Sequence, residues 1–174
     1  MMKRRIVLGV TGSIAAYKAA ELVRLFVKNS DEVKVVMTAA AAKFVTPLVF
    51  RTLSRNRVTL DDFADPQNWE PEHVSLALWA DAVVVAPATA NTIAKMRYGI
   101  ADNALTSLLL ATKAPVVVAP AMNDGMWANP ATAENVAALR ARGVKFVGPV
   151  DGELACGTTG TGHMADITEI FAAV

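Results

Sequence analysis

Cysteine occurs once in this sequence, at Cys156, so no disulfide can form within the chain and its core must hold the fold. Histidine occurs twice, at His73 and His163, too isolated for metal-ligand spacing. Charged residues make up only 19% of the chain, and its lysines and arginines are scattered around a net charge of +1. That excludes the basic stripe of a nucleic-acid binder or of a protein seated on an anionic membrane. No unbroken apolar run approaches the ~18 residues that a membrane-crossing helix needs. The opening MMKRRIVLGVTGSIAA has the basic head and apolar run of a secretion signal. Thr11-Gly12-Ser13 breaks that run, however, and Lys18 and Glu21 follow, so the segment reads as fold and the protein as cytoplasmic. Repeats, low-complexity tracts and linkers are all missing, which leaves a single domain over residues 1–174.

What the sequence does have is apolar weight. Hydrophobic residues reach 53% and the mean hydropathy is +0.35, high for a chain of this size. Either the core is unusually complete or a partner subunit covers apolar surface, and the second reading is favoured. RIVLGV (5–10), EVKVVM (32–37), AVVVAP (82–87), PVVVAP (115–120) and VKFVG (144–148) read as strands. Their valine runs without polar alternation suit strands covered on both faces. Ala15, Ala19, Leu22 and Phe26 share one helical face, with Lys18, Glu21 and Lys28 on another. A second helix is expected from Asn129 as cap, with Pro130 in its first turn, Val136 and Leu139 inward, and Gly143 at its end. Weaker helical patterns occupy about 45–54, 91–98 and 102–112. Strand and helix in alternation predict an α/β fold, a parallel sheet with helices on both faces.

In such folds ligands bind beyond the carboxyl ends of the strands, near the switch in strand order. The unusual residues of this chain all follow strands: Thr11-Gly12-Ser13, Thr38, the run Pro87 to Thr92, and Pro120-Ala121-Met122-Asn123. The first turn lacks the glycine pattern of a dinucleotide site and the Gly-Lys-Ser/Thr of a P-loop. One glycine, small hydroxyls, an amide and helix N-termini suit a single phosphate, a ribityl chain or a polar ring edge. Ser13 and Asn91 could equally be plain helix caps. Met122 and Trp127 fit packing as well as a site. Asn123 stands apart, because a carboxamide on the ligand-bearing edge offers both donor and acceptor. His73, in EPEHVSLALWAD, reads on its own as a structural histidine. Cys156 sits in the glycine-rich GELACGTTGTGHM, where a flap at about 150–165 would let it reach a ligand.

GSIAAYK, HVSLALWAD, APATANT, PAMNDGMW and LACGTTGTGHM stand in the order and spacing of the flavin-containing cysteine decarboxylases, which the chain resembles from about residue 5 to 166. The resemblance implies a three-layer Rossmann-like flavoprotein fold, FMN as cofactor, and homo-trimers or dodecamers with the site at a subunit interface. It implies flavin contacts at Gly12, Ser13, Ile14, Thr38, Thr89, Ala90, Asn91, Thr92 and Ala121. It further implies substrate contacts at Asn123, Met126, Ala155 and Cys156, with Asn123 on the departing carboxylate, His73 as base and Cys156 as proton donor. The branch it points to decarboxylates 4'-phosphopantothenoylcysteine through a thioaldehyde, then reduces the enethiol to give 4'-phosphopantetheine. Other branches decarboxylate a peptide's C-terminal cysteine oxidatively or serve as flavin-binding regulatory subunits; Cys156 favours the first branch. His163 and Leu78 occupy positions where many bacterial members carry a cation able to meet the substrate's phosphate or carboxylate.

Overall fold

A computed structural model of the chain describes residues 3–60, 71–153, 157 and 159–174. Its centre is a six-stranded parallel sheet in the order β3-β2-β1-β4-β5-β6. The strands are β1 (Arg5–Val10), β2 (Glu32–Met37), β3 (Val58–Thr59), β4 (Ala82–Ala88), β5 (Val116–Pro120) and β6 (Lys145–Phe146). The helices are α1 (Ala16–Lys28), α2 (Pro47–Ser54), α3 (Glu72–Trp79), α4 (Ala90–Tyr98), α5 (Ala104–Ala111), α6 (Asp124–Ala128), α7 (Pro130–Ala141) and α8 (Ile167–Ala172). A hairpin of β7 (Val150–Glu153) and β8 (Thr159–His163) stands apart from the sheet.

The two faces of the sheet carry separate cores. On one, Ile6, Leu8 and Val84 meet Leu22 and Phe26 of α1, Phe50 of α2 and Ile170 of α8. On the other, Val7, Val83 and Val85 meet Leu76 of α3, Ile93 of α4, Leu105 and Leu108 of α5, and Leu139 of α7. All seven residues of β4 are buried, as its missing polar alternation requires. The result is the expected three-layer α/β architecture.

Strand edges and helix ends follow local chemistry. Asn129 caps α7 by accepting from the Ala131 N–H at 2.9 Å, Pro130 fills the first turn, and Gly143, at φ +90°, follows the helix end. The expected strand at 144–148 shortens to two residues. Gly148 at φ +74° and Pro149, which has no N–H, end it. Two-residue β3 is too short to leave an alternation in the sequence. Short α6 and α8 span fewer than two turns, and α3 reads as an apolar run because Val74, Leu76, Ala77 and Leu78 leave little contrast between its faces.

Two consecutive arginines register the central strand against both neighbours. Arg4 donates through Nε and Nη2 to Asp31, just before β2, at 3.1 and 2.7 Å. Arg5 does the same to Asp81, just before β4, at 3.2 and 2.7 Å. The two clamps differ in burial. The Asp31 side chain is fully buried and also accepts from Asn29, while the Arg4 guanidinium lies over Phe26 and Phe171. Arg5 and Asp81 are both nearly half exposed. Burial pushes the Asp31 carboxyl up, but the Arg4 and Asn29 hydrogen bonds outweigh it and hold the group below the ordinary carboxylate range.

Arg4→Ala strands a buried carboxylate and should lower unfolding free energy by about 2–3 kcal/mol. Arg5→Ala at the exposed clamp should lower it by at most about 1 kcal/mol. The Asp31 contribution is complete above the ordinary carboxylate range and disappears as pH falls through the depressed folded-state value, because the unfolded state then binds the proton first. Urea titrations of both variants at neutral and acidic pH measure this. Equal losses at neutral pH would refute the assignment.

Candidate functional site

Strand order reverses between β1 and β4, and the two turns that leave these strands are tied together by one side chain. Thr11, buried at the end of β1, donates its hydroxyl to the Pro87 carbonyl at 2.7 Å. The same oxygen accepts from the Thr89 N–H at 3.0 Å. The first and third polar turns therefore form one continuous rim. Thr11 was read only as part of its turn. Its role is visible only once β1 and β4 are known to be neighbours.

Gly12 follows because nothing larger fits. A Cβ there would lie 2.5 Å from the Cβ of Ala40, beyond the end of β2. The β1 turn is thus pressed against the segment that follows Thr38, whose Oγ1 accepts from the Ala41 N–H at 3.2 Å. The cap alternative holds for Ser13, whose Oγ accepts from the Ala15 N–H at 3.3 Å just ahead of α1, and fails for Asn91. Thr89, not Asn91, caps α4, accepting from the Thr92 N–H at 3.3 Å. Asn91 is exposed in the first turn, and Ala90 beside it is half-buried.

At the end of β5 the backbone turns at Asn123. Its Oδ1 accepts from the Gly125 N–H at 2.9 Å and caps α6. That bond engages the carboxamide oxygen and leaves its two N–H donors without a hydrogen bond among the described residues. Met122 and Trp127 are half-buried and pack on the second core, so packing accounts for them. The hairpin completes the wall. The Met122 N–H donates to the Gly162 carbonyl at 3.0 Å. A Cβ on Gly162 would sit 2.1 Å from the Met122 carbonyl oxygen, so β8 can lie this close only as glycine.

Between these elements opens a cavity of about 550 Å³. Of the residues singled out in the sequence, Gly12, Ser13, Ile14, Ala121, Asn123 and Met126 line it. Ile14 is 56% exposed and Met126 49%, so apolar side chains face the opening. Lys18 and His163, read earlier only for helical pattern and for a missing cation, also line it. Thr38, Thr89, Ala90, Asn91 and Thr92 do not line this cavity but stand on the adjoining turns. The structure thus gathers one strip of polar donors and one apolar pocket on the carboxyl rim. A planar ligand with a phosphorylated tail fits that division.

His73 is not part of this gathering. It lies in the first turn of α3, beside Glu72, whose carboxylate accepts from the Thr59 hydroxyl of β3 at 2.7 Å. β3 and β5 are separated by three strands, on the order of 19 Å at ~4.8 Å per strand. Within one chain His73, whose neighbour Glu72 is tied to β3, does not line the cavity that Asn123 lines. Ala155 and Cys156 lie outside the described residues.

The family model described as Flavoprotein matches residues 1–174. The coenzyme A biosynthesis bifunctional protein CoaBC of Haemophilus influenzae is 46% identical over 172 residues, which are 98% of this chain and 43% of the relative. The chain therefore spans less than half the length of that relative. The probable phosphopantothenoylcysteine decarboxylase of Streptococcus mutans is 42% identical over 172 residues, covering 98% of this chain and 96% of the relative. Among solved structures, a cysteine-to-serine mutant of PPC decarboxylase complexed with pantothenoylaminoethenethiol superposes with a TM-score of 0.89. It is 34% identical and covers 99% of this chain and 96% of its own.

Gly162→Ala should push β8 off the Met122 carbonyl and destabilise the protein by about 1–3 kcal/mol. Amide exchange at Met122 should accelerate first, because its bond to Gly162 is the one displaced. Unchanged protection at Met122 would mean the close approach is not required.

Proposed function

We propose, from the premise that this chain belongs to the Flavoprotein family, that its rim holds FMN and that it decarboxylates 4'-phosphopantothenoylcysteine to 4'-phosphopantetheine. The observation that carries this reading is Asn123, a carboxamide fixed by its own cap with two donors spare, at the mouth of an apolar cavity on the switch-point rim. The residues fit a flavin mononucleotide. Gly12, Ser13 and Thr38 present small groups and backbone N–H donors suited to a phosphate, and Thr89, Ala90, Asn91 and Thr92 suit the ribityl chain. Ile14, Ala121 and the cavity walls suit a flat ring system. Bound FMN would supply the two-electron sink that an ordinary carboxylate lacks when it loses CO2, and would return the pair afterwards.

The chain's own residues do the rest. Asn123 would hold the substrate carboxylate by two neutral N–H donors, orienting it without a full positive charge. That matters because the group must leave as neutral CO2, and a cation would stabilise the carboxylate more than the transition state. Met126 would pack the cysteinyl carbon chain beside it. His73 would take a proton from the substrate, imidazole being a base that works near neutral pH. Cys156, in the segment joining β7 to β8 together with Ala155, would give a proton back to the enethiol carbon as it is reduced. The relative solved with an aminoethenethiol bound carries serine in place of a cysteine, which supports this division of labour.

His73 does not line the cavity of its own chain, and that supports an assembly. α3 carries Leu78, 73% exposed, on the helix that bears His73. Leu48 and Phe44, also exposed, add apolar surface. A second copy laid across the rim would cover these side chains and deliver its His73 over the first copy's cavity. The functional unit is then a closed homo-oligomer, a trimer or a dodecamer, with the site at a subunit interface.

Subunit mixing tests this. Asn123→Asp keeps a competent helix cap, since aspartate caps as well as asparagine, but sets a carboxylate against the substrate's own. His73→Asn removes the base. Each alone should retain flavin and lose activity by about a hundredfold or more. Co-expressed in one cell, the two should recover activity, because some interfaces pair an intact His73 with an intact Asn123. No recovery from flavin-loaded mixed oligomers would place both residues' work within one chain.

A further inference from the structure

Lys18 lines the cavity, and among the described residues no carboxylate forms an ion pair with it. Lys18 lies in the first turn of α1, half-buried, and its Nζ is 2.6 Å from the Nε2 of His163 on β8. Both residues line the cavity with Asn123 and Met126. The ring is held against the hairpin at Gly152, where an added Cβ would meet His163 Cβ and Cγ at 3.3 Å. His163, within hydrogen-bond distance of Nζ, therefore aims the Lys18 side chain.

The surrounding carboxylates leave that charge in place. Among the described residues, Lys18 enters none of the ion pairs, which run through Lys3, Arg4, Arg5 and Lys95. Asp166, across from it at the N-cap of α8, is committed to the Thr168 N–H and hydroxyl. Its carboxyl sits below the usual range first through Thr168 and only last through Lys18. Glu153 lines the same cavity but is exposed to water. A half-buried cation against apolar walls is poorly screened and attracts an anion strongly.

We propose that Lys18, aimed by His163, is the residue that holds the substrate's phosphate and so sets the preference for a phosphorylated substrate. The inference rests on the decarboxylase reading given above. The carboxylate is the wrong anion for this lysine, because its charge vanishes as CO2 forms and a cation there would oppose the reaction. The phosphate keeps its charge from start to finish, so a compact ammonium can hold it throughout without cost to the chemical step. Lys18 acts directly on the substrate; His163 is a positioning residue.

The test compares FMN-loaded wild type, Lys18→Met and Lys18→Arg on 4'-phosphopantothenoylcysteine and on its dephosphorylated form. The wild-type ratio of kcat/KM for the two should fall about ten- to hundredfold in Lys18→Met and largely return in Lys18→Arg. Calorimetry gives a readout free of chemistry: 4'-phosphopantothenate, which has no cysteine to react, should lose affinity for Lys18→Met by a similar factor, while pantothenate should not. An unchanged preference in a flavin-loaded Lys18→Met protein would overturn the assignment and leave the decarboxylase standing. Equal losses on both substrates would also overturn it, by tying Lys18 to the carboxylate or to the fold. A wild-type protein that consumes neither substrate would overturn the decarboxylase reading and this one with it.

Discussion

The buried hydroxyl of Thr11 is the constraint on which the site depends. Its two hydrogen bonds, to the Pro87 carbonyl and from the Thr89 N–H, join the strands whose order reverses. A parallel sheet opens a crevice at that point because the connections on either side run to opposite faces. Left alone, the crevice would have two loose lips. Thr11 makes them one rim, so the donors after β1 and those after β4 keep a fixed separation. At the opposite end of the same strand, Arg4 and Arg5 fix β1 against Asp31 and Asp81. The central strand is therefore registered at both ends, and the turn that leaves it is placed accordingly.

From that rim the division of labour follows. Small residues sit where backbones approach closely, at Gly12 against Ala40 and at Gly162 against the Met122 carbonyl. Apolar side chains stand exposed where a flat ligand or a second subunit would cover them. The polar side chains near the cavity differ by position: an amide at Asn123, and a lysine held by His163 at Lys18. On the reading proposed above, that contrast would sort an anionic group that must disappear from one that must persist. The proposed assembly would account for the chain's high apolar content, since a site shared between copies needs a surface that prefers protein to water.

Much of this was legible in the sequence because buried parallel strands write themselves plainly. The valine runs at 82–87 and 115–120 gave β4 and β5 almost to the residue, and Asn129, Pro130 and Gly143 gave α7. The rim was legible for the same reason, since the residues after strands could be named before the sheet was seen. What stayed hidden depended on distant neighbours. Thr11 looks like any turn threonine until β4 lies beside β1. The contact between Lys18 and His163 joins residues 145 positions apart, and no local pattern announces it. β3, α6 and α8 are too short for a period to accumulate. The structure also separates what the sequence had grouped: Asn123 lines the cavity and His73 does not.

The central claim is that this rim would carry a flavin which borrows two electrons from a cysteinyl substrate and gives them back. Spectroscopy of the FMN-loaded protein under argon, with 4'-phosphopantothenoylcysteine added and CO2 measured in the same vessel, tests it most directly. The account predicts many equivalents of CO2 per flavin, with the oxidised flavin spectrum restored once substrate is exhausted. A protein that stays colourless in excess FMN, or one that binds it and releases no CO2, would contradict the account.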